Sequence, residues 1–195
     1  MEESLVSGME TIEREMAMVA RHLAAKQKMF DDTERGSREA IRASAQAITL
    51  IHNGDIRRAR ALLASLEKSH MPAIKEAARH SNSALQALQE HAEASILLGI
   101  KDTGRIPSMR SMRLMPEAYL LGLMDVVGEL KREMFEALRR RDVDAASAYL
   151  EMMRRIYDST RSIRFAEAVL RGFRRKQDVA RNQIESAEGE LLRFI

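Results

Sequence analysis

Along the first quarter of the chain, apolar residues return every three or four positions: Leu5, Met9, Ile12, Met16, Val19 and Leu23, then Ile41, Ala45, Ile48 and Ile51. That is the period of an α-helix. It predicts one very long helix, or two nearly collinear ones, over residues 3–52, with only Gly36 inside and the pair Asn53-Gly54 as the stop. Asp55 is placed to cap a second helix to about residue 69, carrying Ile56, Leu62, Leu63 and Leu66. Pro72 then opens a third helix, predicted to run to Leu98 and stop at Gly99.

Residues 99–115 have loop character, with Gly104, Pro107 and the cations Lys101, Arg105, Arg110 and Arg113, and leave room for a short helix. Pro116 starts the next helix, to about residue 141. Asp142 or Asp144 starts another, to about 161. A last helix is expected from about 165 to the C-terminus through Val169, Phe173, Val179, Ile184, Leu191 and Leu192. No stretch alternates with the period of a strand, and no internal repeat or low-complexity tract interrupts the order. The expectation is a single all-α domain over 1–195, a bundle of six or seven helices with a long N-terminal one.

Composition supports that class. Three prolines, nine glycines, 4% aromatics and no Trp leave the core to Leu, Ile, Val, Met and Ala, a set suited to packed helices more than to a sandwich or barrel. The absence of Cys excludes disulfides, a thiolate zinc site and a cysteine nucleophile. The start, MEESLVSGME, is acidic and lacks the apolar core of a signal peptide. No apolar run reaches the length of a membrane span, and the longest, 118–127, contains Asp125. A soluble, cytoplasmic protein with no membrane contact is expected. Net charge is only +3, but 25 of the 32 basic residues are Arg, whose planar fork suits phosphate oxygens as well as helix-surface glutamates. The lean toward nucleic acid is mild.

Candidate chemistry rests on acids set in apolar helices. In Gln89-Glu90-His91-Ala92-Glu93-Ala94, Glu90 and Glu93 are three apart and share a face. In Tyr119-Leu120-Leu121-Gly122-Leu123-Met124-Asp125-Val126-Val127-Gly128-Glu129-Leu130, Asp125 is surrounded by apolar residues and Glu129 lies one turn on. Gly122 and Gly128 border the same face, where each costs about 1 kcal/mol relative to Ala, so something is expected to approach closely there. Four carboxylates converging from two helices need a positive charge among them. Oxygen-only ligands suit Mg²⁺ or Mn²⁺, which can activate water against a phosphodiester. Plainer readings remain open: Glu-x-x-Glu pairs occur on solvated helix faces, and a buried Arg would satisfy Asp125. Glu67-x-x-His70 has the spacing of a di-iron ligand pair but occurs once, where bundle sites use it twice. His91 reads as an ordinary polar residue, and His22, His52 and His80 form no constellation.

The two acidic motifs resemble the translin superfamily, and within it the translin-associated factor X branch. Gln89 to Ala94 is similar to that branch's Gln-Glu-Tyr-Val-Glu-Ala, with His91 for Tyr and Ala92 for Val. Pro116 to Asp125 and Gly128-Glu129-Leu130 are similar to its second motif; the tract ending in Ile156-Tyr157-Asp158 is a looser match. The resemblance implies a translin-like helical fold, a hollow homo-octamer, and Mg²⁺-dependent endonuclease action on single-stranded RNA from the inner wall, with single-stranded DNA as the other candidate ligand. It makes Glu90, Glu93 and Asp125 catalytic metal ligands, with Glu129 beside them. The chain is shorter than eukaryotic members, with a curtailed loop between the motifs, and looks like an archaeal relative. Lys75, Arg79 and His80 fall where translin carries a nucleic-acid-binding cluster. Arg57, Arg58 and Arg60 form a second candidate phosphate surface, and Arg171, Arg174, Arg175 and Lys176 suit either phosphate or acids of a neighbouring subunit. Translin itself lacks the full acidic set, so a binding protein that does not cut is the alternative.

Overall fold

A computed structural model describes residues 2–194, with side chains from residue 9 onward. Eight helices follow one another: α1 (Glu2–His52), α2 (Ile56–Ser69), α3 (Met71–Ala77), α4 (Asn82–Thr103), α5 (Met109–Met112), α6 (Pro116–Arg139), α7 (Val143–Thr160) and α8 (Phe173–Leu191). No strand occurs among the described residues, and the all-α expectation holds. None of the described helices is long and apolar enough to cross a membrane.

The local reasons are those the sequence offers. α1 is one unbroken helix, and Gly54 takes the left-handed conformation just past its end (φ 78°). Asp55 caps α2 by accepting from the Arg58 backbone N–H at 3.1 Å, and Asp142 caps α7 by accepting from Ala145 N–H at 3.0 Å. Such caps each contribute about 1 kcal/mol. Pro116 occupies the start of α6, where its missing N–H costs nothing.

Three boundaries differ from the expectation. The predicted third helix is two, α3 and α4, because Ser81 turns out of the helix and caps α4 through Ala84 N–H at 3.2 Å. α4 does not stop at Gly99 but runs to Thr103 and ends on Gly104, which is left-handed (φ 69°). Gly99 serves packing instead: a Cβ there would sit 2.7 Å from the Pro107 ring and 2.8 Å from the Arg105 carbonyl. The last helix starts at Phe173, not near 165, after an irregular segment closed by left-handed Gly172 (φ 77°), whose N–H donates to Glu167. With the short α3 and α5 counted, eight described helices replace six or seven.

α4 and α6 form the centre. α1, α2 and α3 pack on α4 around Leu63, Leu66, Met71, Ile74 and Leu88. α7 and α8 pack on α6 around Val126, Leu130, Met134, Met153 and Ile184. Phe173 is the one buried aromatic among the described residues. The apolar stripe at the start of α1 does not join this core. Every described side chain from Met9 to Asp32 is exposed, while Ala40, Ala47 and Ile51 further along are fully buried; Leu5 lies outside the described side chains.

Candidate functional site

Gly122 sets the site. At that point α6 crosses α4 so closely that a Cβ would stand 2.6 Å from Ala92 Cβ, 2.6 Å from the Gln89 carbonyl and 2.9 Å from the Glu93 nitrogen. The close neighbour foreseen at this glycine is therefore the helix of the other acidic motif. Gly128, two turns on, faces α8, with Gln183 Nε2 at 3.0 Å from where a Cβ would lie. These two contacts pin the acids of α4 and α6 beside the first turns of α8.

Four carboxyl groups end in one electrostatic neighbourhood. Glu93 is 9% exposed. Burial first, and then the fields of Asp125, Glu90 and Glu129, push its pKa up to about 8, against a weaker pull from Lys176. At neutral pH it is therefore mostly protonated. Glu90 is raised as well, by burial and then by Asp125. Asp125 accepts from Gln89 Nε2 at 2.7 Å and forms an ion pair with Lys176. The positive charge that the crowded acids require thus comes from the chain itself. Asp125 has a structural cation, as the plainer reading allowed, but it is a lysine of α8 and not an arginine.

Glu129 is drawn the other way, and here the sequence reading is corrected. His52, which seemed to belong to no constellation, stands between Glu129 (2.5 Å from Nε2) and Glu133 (2.6 Å from Nδ1). The hydrogen bond to Glu129, followed by that to Glu133, outweighs burial and raises its pKa to about 9, so the imidazolium donates from both nitrogens. Burial alone would raise Glu133, but the bonds from His52 and Lys101 reverse the direction and hold it low. Lys101 also donates to the Tyr149 hydroxyl at 3.1 Å. This buried charged chain ends on Glu129 and fixes that carboxylate at the edge of the acidic group.

The donor set fits a hard divalent cation in chemistry more than in present placement. Glu90 and Glu93 have no hydrogen-bond or ion-pair partner among the described residues, so their oxygens are available. Yet among the described residues no three acids or imidazoles are arranged to hold one ion. The reason is visible: Asp125 is turned to Lys176 and Gln89, and Glu129 to His52. The acids share a field rather than a point.

The remaining candidates lie elsewhere. His91 is buried and faces α2, where it pairs with Glu67 at 3.2 Å; that bond, resisted by burial and helped by Lys75, lowers Glu67 to about 2. His70 pairs with Glu39 at 2.8 Å, so Glu67 and His70 share no centre. Lys75 is held by Glu67 at 2.5 Å and by the Met112 carbonyl at 3.2 Å. Arg58 pairs with Asp55 and Arg60 with Asp102 (2.5 Å), and Arg57 is exposed. Arg79 and His80 are exposed in a cleft of about 620 Å³ with Asn82, Glu117 and Arg171. Among the described residues neither basic group pairs with the acids; Lys176 does so instead. Arg174 and Arg175 beside it are exposed.

Known proteins support the fold. A model described as the translin family matches residues 9–192. An uncharacterized protein of Methanocaldococcus jannaschii is 29% identical over 192 residues, covering 93% of this chain and 83% of the relative. Among solved structures, apo-NeC3PO superposes with a TM-score of 0.83 at 20% identity, over 92% of this chain and 97% of that one. AfC3PO superposes at 0.76 with 25% identity, over 92% and 96%. Its complex with duplex RNA also gives 0.76, at 24% identity, over 92% and 95%.

Proposed function

The chain belongs to the translin family, and from that premise we propose that it is an RNA-binding endoribonuclease whose reaction centre is the acidic group of α4 and α6. The observation that carries the reading is the convergence on Glu93. Its carboxyl is pushed up first by burial and then by Asp125, by Glu90 of its own helix and by Glu129. A helix crossing built on Gly122 brings Asp125 and Glu129 to it. A fold gains no stability from such crowding. A site that must draw in a divalent cation does use it.

Glu90, Glu93 and Asp125, with Glu129 beside them, would hold Mg²⁺ or Mn²⁺; the chemistry such an ion supplies is a more acidic bound water and neutralisation of charge on the phosphodiester. The chain's own residues do the rest. Release of Asp125 from Lys176 leaves the carboxylate as a ligand and the ammonium free to meet a phosphate oxygen. Exposed arginines of α8 such as Arg175 would add contacts to the RNA backbone without reading sequence. His52 keeps Glu129 oriented. RNA as ligand is supported by AfC3PO, which has been solved with duplex RNA. Single-stranded RNA is our proposed substrate, with duplex RNA and single-stranded DNA as the comparisons. The homo-octamer with acids on its inner wall belongs to the same proposal.

Labelled single-stranded and duplex RNA incubated with Mg²⁺ or EDTA test the reading, using wild type and Asp125→Ala. Metal-dependent internal cleavage lost in the variant is expected. No cleavage by wild type, or equal cleavage by Asp125→Ala, defeats it. One observation favours a second reading, an RNA binder that does not cut: Lys176 already neutralises Asp125 without a metal. Salt-dependent RNA binding without cleavage in Mg²⁺ would select it.

A further inference from the structure

Lys176 stands where a cation of the acidic group would stand. Both oxygens of Asp125 are taken by donors of the chain, Oδ1 by the Lys176 ammonium and Oδ2 by Gln89 Nε2 at 2.7 Å. The field of the same ammonium also opposes burial at Glu90 and at Glu93. One lysine thus serves three of the four acids, while Glu129 has His52. Local helix energetics does not explain it. Lys176 lies in the first turn of α8, which holds no acid, and there the helix dipole disfavours a positive side chain.

A divalent cation drawn to these acids meets that ammonium at close range, and like charges repel. For the cation to use Asp125, the ammonium has to leave. Asp125 is its one ion-pair partner among the described residues, and the two side chains are 24% and 26% exposed. The pair is open enough for solutes to reach, yet shielded enough that an unpaired ammonium is unfavourable. A phosphate oxygen is the replacement partner that the substrate itself brings. On the reading that these acids hold the cation of the reaction, we propose that Lys176 makes cation loading conditional on RNA. It closes the site as a built-in counter-ion and opens it when a phosphodiester takes over the ammonium. Divalent ion and RNA then bind cooperatively, each strengthening the other by the same factor.

Mn²⁺ binding to the full-length chain, read from the free-ion signal in electron paramagnetic resonance, separates this lock from the site it locks. The binding counted is that which Asp125→Ala removes. Without RNA, Lys176→Gln and Lys176→Met should each bind Mn²⁺ on the order of tenfold tighter than wild type, as one competing, partly exposed ion-pair partner is gone. Damage to packing does not produce such a gain. Lys176→Arg keeps the charge and should stay near wild type. Arg181→Met, which removes an exposed charge elsewhere on α8, should change the affinity by less than about twofold. A short single-stranded RNA should tighten Mn²⁺ binding by wild type about tenfold or more, and by Lys176→Gln clearly less. Equal or weaker Mn²⁺ binding by both neutral variants, with wild type binding the ion, overturns the lock and leaves the cation site standing. An equal gain from Arg181→Met overturns it too, because a diffuse field would then suffice. Absence of Mn²⁺ binding by every form, with and without RNA, is a different failure and removes the cation site together with the lock.

Discussion

Gly122→Ala adds one methyl group at the point where α4 and α6 touch. The new Cβ would lie 2.6 Å from Ala92 Cβ and from the Gln89 carbonyl, and 2.9 Å from the Glu93 nitrogen, where carbon contacts settle near 3.5–4.0 Å. Two of the three neighbours are backbone and cannot rotate away, so the helices must part by about 1 Å. Ala returns about 1 kcal/mol of helix propensity, against an overpacking cost of about 3 kcal/mol at the rigid end of the usual range. The net is a loss of about 2 kcal/mol, or roughly 4–8 °C in melting temperature for a chain of this size. Gly189→Ala is the control, since nothing lies within 4 Å of its Cβ and propensity alone should raise stability by up to about 1 kcal/mol. Urea unfolding of both variants decides the matter. Gly122→Ala as stable as wild type would refute the close crossing, and with it the means by which Glu93 meets Asp125.

Three further outcomes follow from the charges. The folded Glu93 carboxyl sits at about 8 against an ordinary 4.5, so the folded chain keeps a proton that the unfolded chain has released between those values; its contribution is full below 4.5 and falls as pH rises through 8, and Glu93→Gln should flatten urea-derived stability across that window. His52 sits at about 9 against 6.5, so its stabilisation is present below 6.5 and lost as pH rises through 9; His52→Gln should remove that slope, and an unchanged profile would count against the Glu129–His52–Glu133 bridge. Lys176→Met leaves Asp125 without its partner and should cost about 1–2 kcal/mol without divalent ions, the pair being a quarter exposed and so between surface and buried cases; melting curves should show added Mn²⁺ restoring more stability to this variant than to wild type.

Much of the fold was readable because its signals are local. Period, caps at Asp55 and Asp142, and Pro116 each act within a few residues, and they fixed α1, α2, α6 and α7. The errors arose where tertiary contact overrode a local signal. Gly99 looks like a stop but makes room for Pro107; the period of the stripe from Met9 marks a helix without saying what, if anything, buries its apolar face. The acidic motifs were visible for the same local reason: carboxylates among apolar residues, next to glycines. Their partners were not. Lys176 is 51 residues from Asp125, and His52 is 77 from Glu129. A single sequence carries no signal that joins such positions; His52, polar at the end of a helix with no neighbouring ligand, gave nothing to read.

The central claim is that the acids of α4 and α6 together form a cation site. Crystals soaked in Mn²⁺, with an uncleaved RNA strand, can be measured for anomalous scattering. The account predicts a peak bounded by Glu90, Glu93 and Asp125, with the Lys176 ammonium moved off Asp125. Anomalous density absent from that crossing, with Lys176 still bound to Asp125 and RNA in place, would contradict it.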